Sequence, residues 1–415
     1  MTTRIKGGKI YKDGSFEAND SLLIHDGSVF GGSESGEETA SERVITLDNS
    51  FILPSLCDVH VHFREPGSSY KETVKTGSLA AAKGGYTTVG TMPNVRPVPS
   101  TPEGLEEQLK LIREDAVIEV LPYGSITMEQ SGSGELAQME AIADDVIAFS
   151  DDGVGVADEG LMRAAMEQAK GLGKIIAAHC EDMELLREGK VRESEWKQIE
   201  RDLKLADETG CAYHVCHISC KESVELIRDA KKSGVDVTCE TAPHYLLLDS
   251  DFVQEVLRTT PELGGRVKMN PPIKEAEDRR ALVEGLMDGT VDMVATDHAP
   301  HSAEEKGRGF EKSLNGITGL ECAFPVLYTG LVERGILTLP ELIDRMAAAP
   351  RKRFGLAENG FFVFDPTVSD VIDSRTFLSK GHSTPFDGRP VLGRIQMTVM
   401  DGKIVYEYSE AHDER

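Results

Sequence analysis

The chain has 415 residues, of which 40% are apolar, and its 45 basic and 71 acidic side chains give a formal net charge of −26. This length and composition predict a globular protein with one large α/β domain or two smaller ones. A strongly acidic chain excludes nucleic acid as an expected partner, because nucleic-acid binding needs a basic surface.

The first residues contain no apolar stretch typical of a signal peptide, and no run of 18 or more apolar residues occurs. We therefore expect no membrane span.

Seven cysteines, an odd number, indicate reduced thiols in a cytoplasmic protein. Cys211, Cys216 and Cys220 lie near His214 and His217, but no second ligand pair with zinc-finger spacing follows. Buried thiols are the favoured interpretation.

Short apolar runs alternate with amphipathic stretches through the middle of the chain. The candidate strands are residues 51–61, 87–91, 117–123, 146–149, 175–178, 212–216, 235–239 and 293–295. The candidate helices are residues 71–83, 103–114, 159–172, 196–209, 221–232 and 277–287. These helices have apolar residues at three- and four-residue spacing. Eight strands that alternate with helices predict a (β/α)8 TIM-type barrel.

The two ends of the chain differ from its middle. Residues 1–50 and 356–415 contain short strand-like pieces separated by turn signals. We expect them to meet in one small composite β-domain beside a barrel domain of residues 51–355.

Residues with metal-binding side chains follow five of the predicted strands. They are His60, His62, Asp151, Asp152, His179, His217 and Asp297. His60 and His62 are two residues apart on one strand, so both point to the same face. Because the active site of such a barrel lies at the C-terminal ends of its strands, these side chains should converge. Four imidazoles and two carboxylates are typical of a two-zinc hydrolase site in which one carboxylate bridges the ions.

Seven motifs occur in order between about residues 48 and 355. They are His60–Gly67, Thr91–Asn94, Phe149–Gly153, Ala178–Glu181, His217–Ser219, Asn270–Pro272 and Ala295–His301. As a set they resemble the amidohydrolase superfamily and, within it, the class I dihydroorotases. The resemblance covers most of the chain. The set of motifs is specific to the family, whereas any single motif alone would not be.

The resemblance implies a ligand set. His60, His62 and Asp297 would hold one metal ion, and His179 and His217 the other, with one or two Zn²⁺ per subunit. Many superfamily members bridge the metals with a carbamylated lysine, but this chain has Phe-Ser-Asp-Asp-Gly at residues 149–153. Asp152 matches the bridging aspartate of some dihydroorotases, and Asp151 is the alternative.

The resemblance also implies substrate contacts at Arg64, Asn94, Asn270 and His301. A guanidinium fork matches a carboxylate, which N-carbamoyl-L-aspartate and L-dihydroorotate carry beside the reacting amide. The alternatives are structural: Arg64 could pair with Glu65, and Asn270 could only cap the turn before Pro271.

The expected function is the reversible, zinc-dependent cyclisation of N-carbamoyl-L-aspartate to L-dihydroorotate and water in pyrimidine biosynthesis. Asp297 would carry the proton between the attacking water and the ring nitrogen. The alternatives are another cyclic amidase, of the allantoinase or hydantoinase type, and an inactive scaffold subunit. A homodimer and a complex with aspartate carbamoyltransferase are expected from the resemblance alone. Residues 302–316 form either a cover over the substrate or a plain solvated loop.

Overall fold

The computed structural model describes residues 2–12, 14–25, 27–31 and 42–409. The strands are β1 (Thr2–Lys12), β2 (Ser15–Ala18), β3 (Ser21–His25), β4 (Ser28–Gly31), β5 (Glu42–Pro54), β6 (Leu56–Val61), β7 (Tyr86–Thr91), β8 (Glu119–Pro122), β9 (Ile176–Ala178), β10 (Tyr213–Val215), β11 (Val237–Thr241), β12 (Met293–Val294), β13 (Gly360–Val371), β14 (Pro390–Met400) and β15 (Lys403–Glu407).

The helices are mostly short and amphipathic. They are α1 (Val74–Lys83), α2 (Pro102–Asp115), α3 (Met139–Ile142), α4 (Glu159–Gly171), α5 (Met183–Arg187), α6 (Val191–Thr209), α7 (Lys221–Lys232), α8 (Pro243–Leu247), α9 (Ser250–Thr259), α10 (Ala276–Asp288), α11 (Ala303–Lys306), α12 (Gly309–Lys312), α13 (Ala323–Leu327), α14 (Leu339–Ile343) and α15 (Ala349–Phe354). No helix in this described part of the chain is long and apolar enough to cross a membrane.

Parallel pairing closes β6 to β12 into a barrel. One sheet has the order β6-β7-β8, and a second has the order β12-β11-β10-β9. Phe149 joins them through bridges to Gly124 and Ile176, and a bridge between Val61 and His298 closes the circle. The predicted (β/α)8 barrel is thereby confirmed.

The fourth barrel position is shorter than predicted. Residues 146–149 form no strand of their own, because a 3-10 turn ends at Asp145 and the chain turns away again after Ser150. The backbone N–H of Ile147 still donates to Pro122, and that of Phe149 donates to Ile175. The segment therefore hydrogen-bonds to both neighbouring strands of the barrel, but over too few residues to form a continuous strand.

The predicted helices occur within a few residues of their expected ends. The Thr73 hydroxyl caps α1, and the Asp158 carboxylate caps α4, each accepting from a backbone N–H of the first turn. Gly210 ends α6 with φ 64°, a left-handed conformation that glycine adopts without strain. Side-chain caps and C-terminal glycines thus fix the ends of these helices close to where the apolar spacing predicted them.

An eight-stranded sheet lies beside the barrel and contains strands from both ends of the chain. Its order is β15-β14-β13-β5-β1-β3-β4, with β2 paired to β1. Ile5, Ile24, Ile52, Val363 and Val399 are buried in its own small core. We propose that this sheet is the second domain, although β5 extends beyond residue 50 to Pro54.

The single strand predicted for residues 51–61 is wrong, because the structure divides it at Ser55. β5 pairs with β1 and β13 in the flanking sheet, whereas β6 pairs with β7 in the barrel. The backbone N–H of Ser55 donates to Gly360 at the crossing point. A continuous apolar run does not reveal that its two halves serve different sheets.

Candidate metal and substrate site

Six of the predicted ligand residues converge at the C-terminal ends of the barrel strands. All six are buried, with at most 6% of any residue exposed: His60, His62, Asp152, His179, His217 and Asp297. His60 is on β6 and His62 follows it, while the others follow Phe149, β9, β10 and β12. The barrel therefore brings together six side chains that are spread over residues 60 to 297 of the sequence.

Asp152 lies at the centre of the four imidazoles. Its Oδ1 is 3.3 Å from His60 Nε2, 3.4 Å from His217 Nε2 and 3.7 Å from His179 Nδ1. Its Oδ2 is 3.5 Å from His62 Nε2. One carboxylate therefore faces a nitrogen of each of the four imidazoles.

The remaining ligand candidates form two groups on either side of Asp152. Asp297 Oδ1 lies 3.0 Å from His62 Nε2 and 3.6 Å from His60 Nε2. On the other side, His179 Nδ1 lies 2.9 Å from His217 Nε2. These are the two groups that the resemblance implies.

Asp151 points away from this cluster. Its carboxylate accepts hydrogen bonds from the backbone N–H groups of Ile126 and Thr127 and from the Thr127 hydroxyl. It therefore fixes the loop after β8, and Asp152 is the carboxylate that faces the histidines.

The donor set fits a metal cation. His60 Nε2 and Asp152 Oδ1 are buried and lack a hydrogen-bond partner, although they face each other. Burial raises the pKa of Asp152, but the charges of His60 and the other rings outweigh it and hold that pKa well below its usual range. Buried unpartnered ligand atoms are costly unless a cation binds them. His60 forms candidate metal-binding groups with Asp152 and His217, and with His62 and Asp297.

Two further side chains orient the histidines of β6. The Nδ1–H of His62 donates to Asn94 Oδ1 at 2.9 Å, and the Nδ1–H of His60 donates to Glu240 Oε1 at 2.5 Å. Both contacts leave Nε2 free to bind a metal. Sequence reasoning missed Glu240; the available signal was a carboxylate inside the otherwise uncharged strand β11.

Arg64 lies beside the cluster in a strained backbone conformation. Its φ is 57°, in the left-handed region, and its Nε donates to the Pro300 carbonyl at 3.3 Å. In the described part of the chain no carboxylate forms an ion pair with Arg64. Glu65 instead accepts from the backbone N–H of Val74, at the start of α1. Burial lowers the pKa of Arg64, and Asp297 and Asp152 partly oppose this effect.

Comparison with known proteins decides the family. The family model described as dihydro-orotase-like matches residues 49–200. Dihydroorotases of Bacillus cytotoxicus and Bacillus cereus are each 44% identical to the chain over 99% of its length and 100% of theirs. The chain belongs to the dihydroorotase family.

Solved structures similar to this dihydroorotase-family chain have the same architecture. L-hydantoinase from Arthrobacter aurescens matches with a TM-score of 0.85 and 25% identity, over 98% of this chain and 96% of its own. Dihydropyrimidinase from Brevibacillus agri matches with a TM-score of 0.84 and 23% identity, over 98% and 95% of the two chains. The second likeness concerns the fold alone. Together they support the fold, a barrel with an attached β-domain.

The other predicted substrate contacts of this dihydroorotase-family site have protein partners. Asn270 Nδ2 donates to Glu181 Oε1 at 3.0 Å and lies 3.5 Å from His179 Nε2, so it reaches the cluster. His301 Nε2 donates to the Asn315 carbonyl at 2.7 Å, and its Nδ1 accepts from Lys71 at 3.2 Å. Both ring nitrogens of His301 are therefore engaged by the protein itself.

The cysteines beside the candidate ligands are buried and free. Burial raises the pKa of Cys57 to about 12 and that of Cys180 well above its usual range. Cys211, Cys216 and Cys220 are also free and buried, in agreement with the interpretation as packed thiols. Oxygen and imidazole ligands dominate the site.

Residues 302–316 fold against the barrel mouth as α11, α12 and their connections. The Lys306 ammonium is buried and donates to the carbonyls of Lys268, Leu314 and Gly316 at 3.1, 2.8 and 2.6 Å. Asn315, which holds His301, lies between two of these acceptors. Lys306 thus connects residues 302–316 to Lys268, which lies two residues before Asn270.

Proposed function

We propose that this protein catalyses the reversible cyclisation of N-carbamoyl-L-aspartate to L-dihydroorotate and water. The observation that carries the proposal is Arg64, a half-buried guanidinium at a candidate metal site, which donates to the Pro300 carbonyl and has no acidic partner among the described residues. An unpaired guanidinium suits the carboxylate that both substrates carry and that hydantoin and allantoin lack.

Each group of the site has a role in this proposal. His60, His62 and Asp297 would hold one zinc ion, His179 and His217 a second, and Asp152 would bridge them. Bound zinc lowers the pKa of water and polarises a carbonyl oxygen. Asp297 accepts the proton of the attacking water and delivers it to the departing ring nitrogen. Arg64 and Asn94 bind the substrate carboxylate, and Asn270 contacts the ring.

Turnover of L-dihydroorotate by the purified, zinc-supplied protein tests the proposal, with hydantoin and allantoin as parallel substrates. Hydrolysis of L-dihydroorotate alone is the expected result. Activity on hydantoin or allantoin instead would mean another cyclic amidase, and no activity with metal bound would mean a scaffold subunit.

Metal count and assembly are separate parts of the proposal. Elemental analysis of the purified protein should give one or two zinc ions per chain. The homodimer, the complex with aspartate carbamoyltransferase and the cytoplasmic location rest on the family resemblance, and sedimentation of the protein alone and with that transferase tests the first two.

A further inference from the structure

A cavity of about 630 Å³ lies on the outside of the barrel and is partly open to solvent. It is lined by α8, α10, the segment around residues 326–336 and the start of β14. None of its lining residues is a candidate metal ligand or substrate contact. Its volume falls within the range of roughly 300–1,000 Å³ that is usual for small-molecule sites.

The charge of this cavity is opposite to that of the chain. Its lining includes four arginines, Arg279, Arg280, Arg334 and Arg389, and one acidic residue, Glu284. In a chain with a formal net charge of −26, such a local excess of guanidinium groups creates a positive potential that attracts anions.

Arg389 and Arg334 lack acidic partners. Neither side chain forms an ion pair or a hydrogen bond with any residue in the described ranges. The Arg389 guanidinium is half-buried and lies 5.5 Å from the Phe252 ring and 5.6 Å from the Phe386 ring. Burial lowers the pKa of Arg389, and the nearby positive charge of Arg334 lowers it further. Two neighbouring guanidiniums that share no carboxylate are stabilised by an anion between them.

Arg279 adds an unsatisfied donor to the same wall. Its Nε is buried without a hydrogen-bond partner, although Asp249 Oδ2 lies 3.4 Å away. A paired arginine on the barrel surface is Arg192, which bonds to both Glu222 and Asp278. Arg334 and Arg389 differ from it because their side chains have no acidic partner among the described residues.

Most of the rest of the lining is apolar, with Thr329 as a polar exception. Leu246 and Leu247 of α8, Val283 of α10, and Val326 and Ile336 form the walls. A bare inorganic ion would leave these walls in contact with water, whereas a ligand with an apolar or planar part would cover them.

We propose that this cavity binds a small organic anion, whose phosphate or carboxylate lies against Arg334 and Arg389 and whose apolar or planar part packs on Leu246 and Val283. The site is separate from the proposed catalytic centre, so it would bind a ligand other than the substrate.

Calorimetric titration of the full-length, zinc-supplied protein tests the proposed anion site. The probes are adenosine 5′-monophosphate for a planar phosphate and indole-3-acetate for a planar carboxylate, with uncharged adenosine and indole as controls. We expect one charged probe to bind with a Kd of about 1 mM or lower. Binding should weaken about tenfold or more in Arg334→Gln and not in Arg258→Gln, an exposed arginine on α9 that pairs with Glu255.

Arg334 is exposed, so Arg334→Gln should keep the wild-type melting temperature and turnover. The proposal is overturned if neither charged probe binds, or if Arg334→Gln binds both as tightly as the wild type. It is also overturned if Arg334→Glu changes the sedimentation of the protein while no probe binds, because the cavity would then be an interface between copies of the chain.

Discussion

The carboxylate of Glu240 lies between two buried histidines, His60 and His214. Its Oε1 is 2.5 Å from His60 Nδ1, and its Oε2 is 3.1 Å from His214 Nε2. Burial raises the pKa of Glu240, but the two rings outweigh burial and keep this pKa well below its usual range. An ionised Glu240 fixes the proton of His60 on Nδ1, so Nε2 presents its lone pair to the metal site.

Replacing Glu240 with glutamine should weaken metal binding while preserving the fold. Glutamine keeps the size of the side chain but loses the charge that orients His60. We expect zinc affinity to fall by about 10- to 100-fold, with a parallel loss of turnover at limiting zinc. Competition with a chromophoric chelator measures the affinity.

Asp202→Asn is the matched control for Glu240→Gln. Asp202 is also fully buried and pairs with Arg201 and Tyr213, but it lies on α6 and bonds to no candidate ligand side chain. It should lower the melting temperature without changing zinc affinity. Wild-type zinc affinity in Glu240→Gln would contradict the orienting role.

Asp297→Asn should remove the proton carrier and preserve the backbone conformation at residue 297. Asp297 has φ 48°, a left-handed conformation that asparagine also tolerates. The amide cannot accept the proton of the attacking water, so we expect kcat to fall by about 10²- to 10⁴-fold. Elemental analysis should accompany the assay, since Asp297 is also a candidate ligand. Unchanged kcat would remove Asp297 from the mechanism.

The sequence predicted the parts of this protein that depend on local pattern. The helix α7 was predicted at both ends, because Val224 and Ile227 mark its buried face and Gly234 follows it. The convergence of the histidines was predictable because the barrel brings strand ends together, whatever the length of chain between them.

Features that depend on which segments meet in space were not predictable. The contact between His60 and Glu240 spans 180 residues and crosses the inside of the barrel. The division at Ser55 depends on which sheet accepts each half of an apolar run. An arginine whose side chain has no acidic partner among the described residues, such as Arg389, looks like any other arginine in the sequence.

Arg64→Ala should raise KM for L-dihydroorotate about tenfold or more, which corresponds to about 1.4 kcal/mol. The guanidinium makes no ion pair with the described residues, so its loss should cost substrate binding more than stability. Arg64→Lys keeps the charge without the fork and should be intermediate.

Dihydrouracil, which has the ring of L-dihydroorotate but no carboxylate, provides the control for Arg64. Its turnover, however slow, should be the same in wild type and Arg64→Ala. An equal loss on both substrates would mean that Arg64 supports the site rather than binding the carboxylate.

Lys306 should control substrate binding in a pH-dependent way. Burial, with a smaller effect from Lys268, lowers the pKa of Lys306 to about 7. This pKa lies below the ordinary lysine value of about 10.4, so the packed segment favours the neutral amine over the ammonium, whereas the released segment does not. The packing of residues 302–316 is therefore strengthened as the pH rises through 7, and KM should fall with it.

Three variants separate this effect from general loss of structure. Lys306→Met should raise KM at every pH and expose residues 302–316 to limited proteolysis, because three buried carbonyls lose their donor. Lys306→Arg stays charged throughout, so its KM should lack the fall above pH 7. Lys312→Met, at an exposed lysine on the same segment, should behave as wild type. A wild-type KM in Lys306→Met, or the same pH profile in Lys306→Arg and wild type, would show that this lysine stabilises the loop without influencing the substrate.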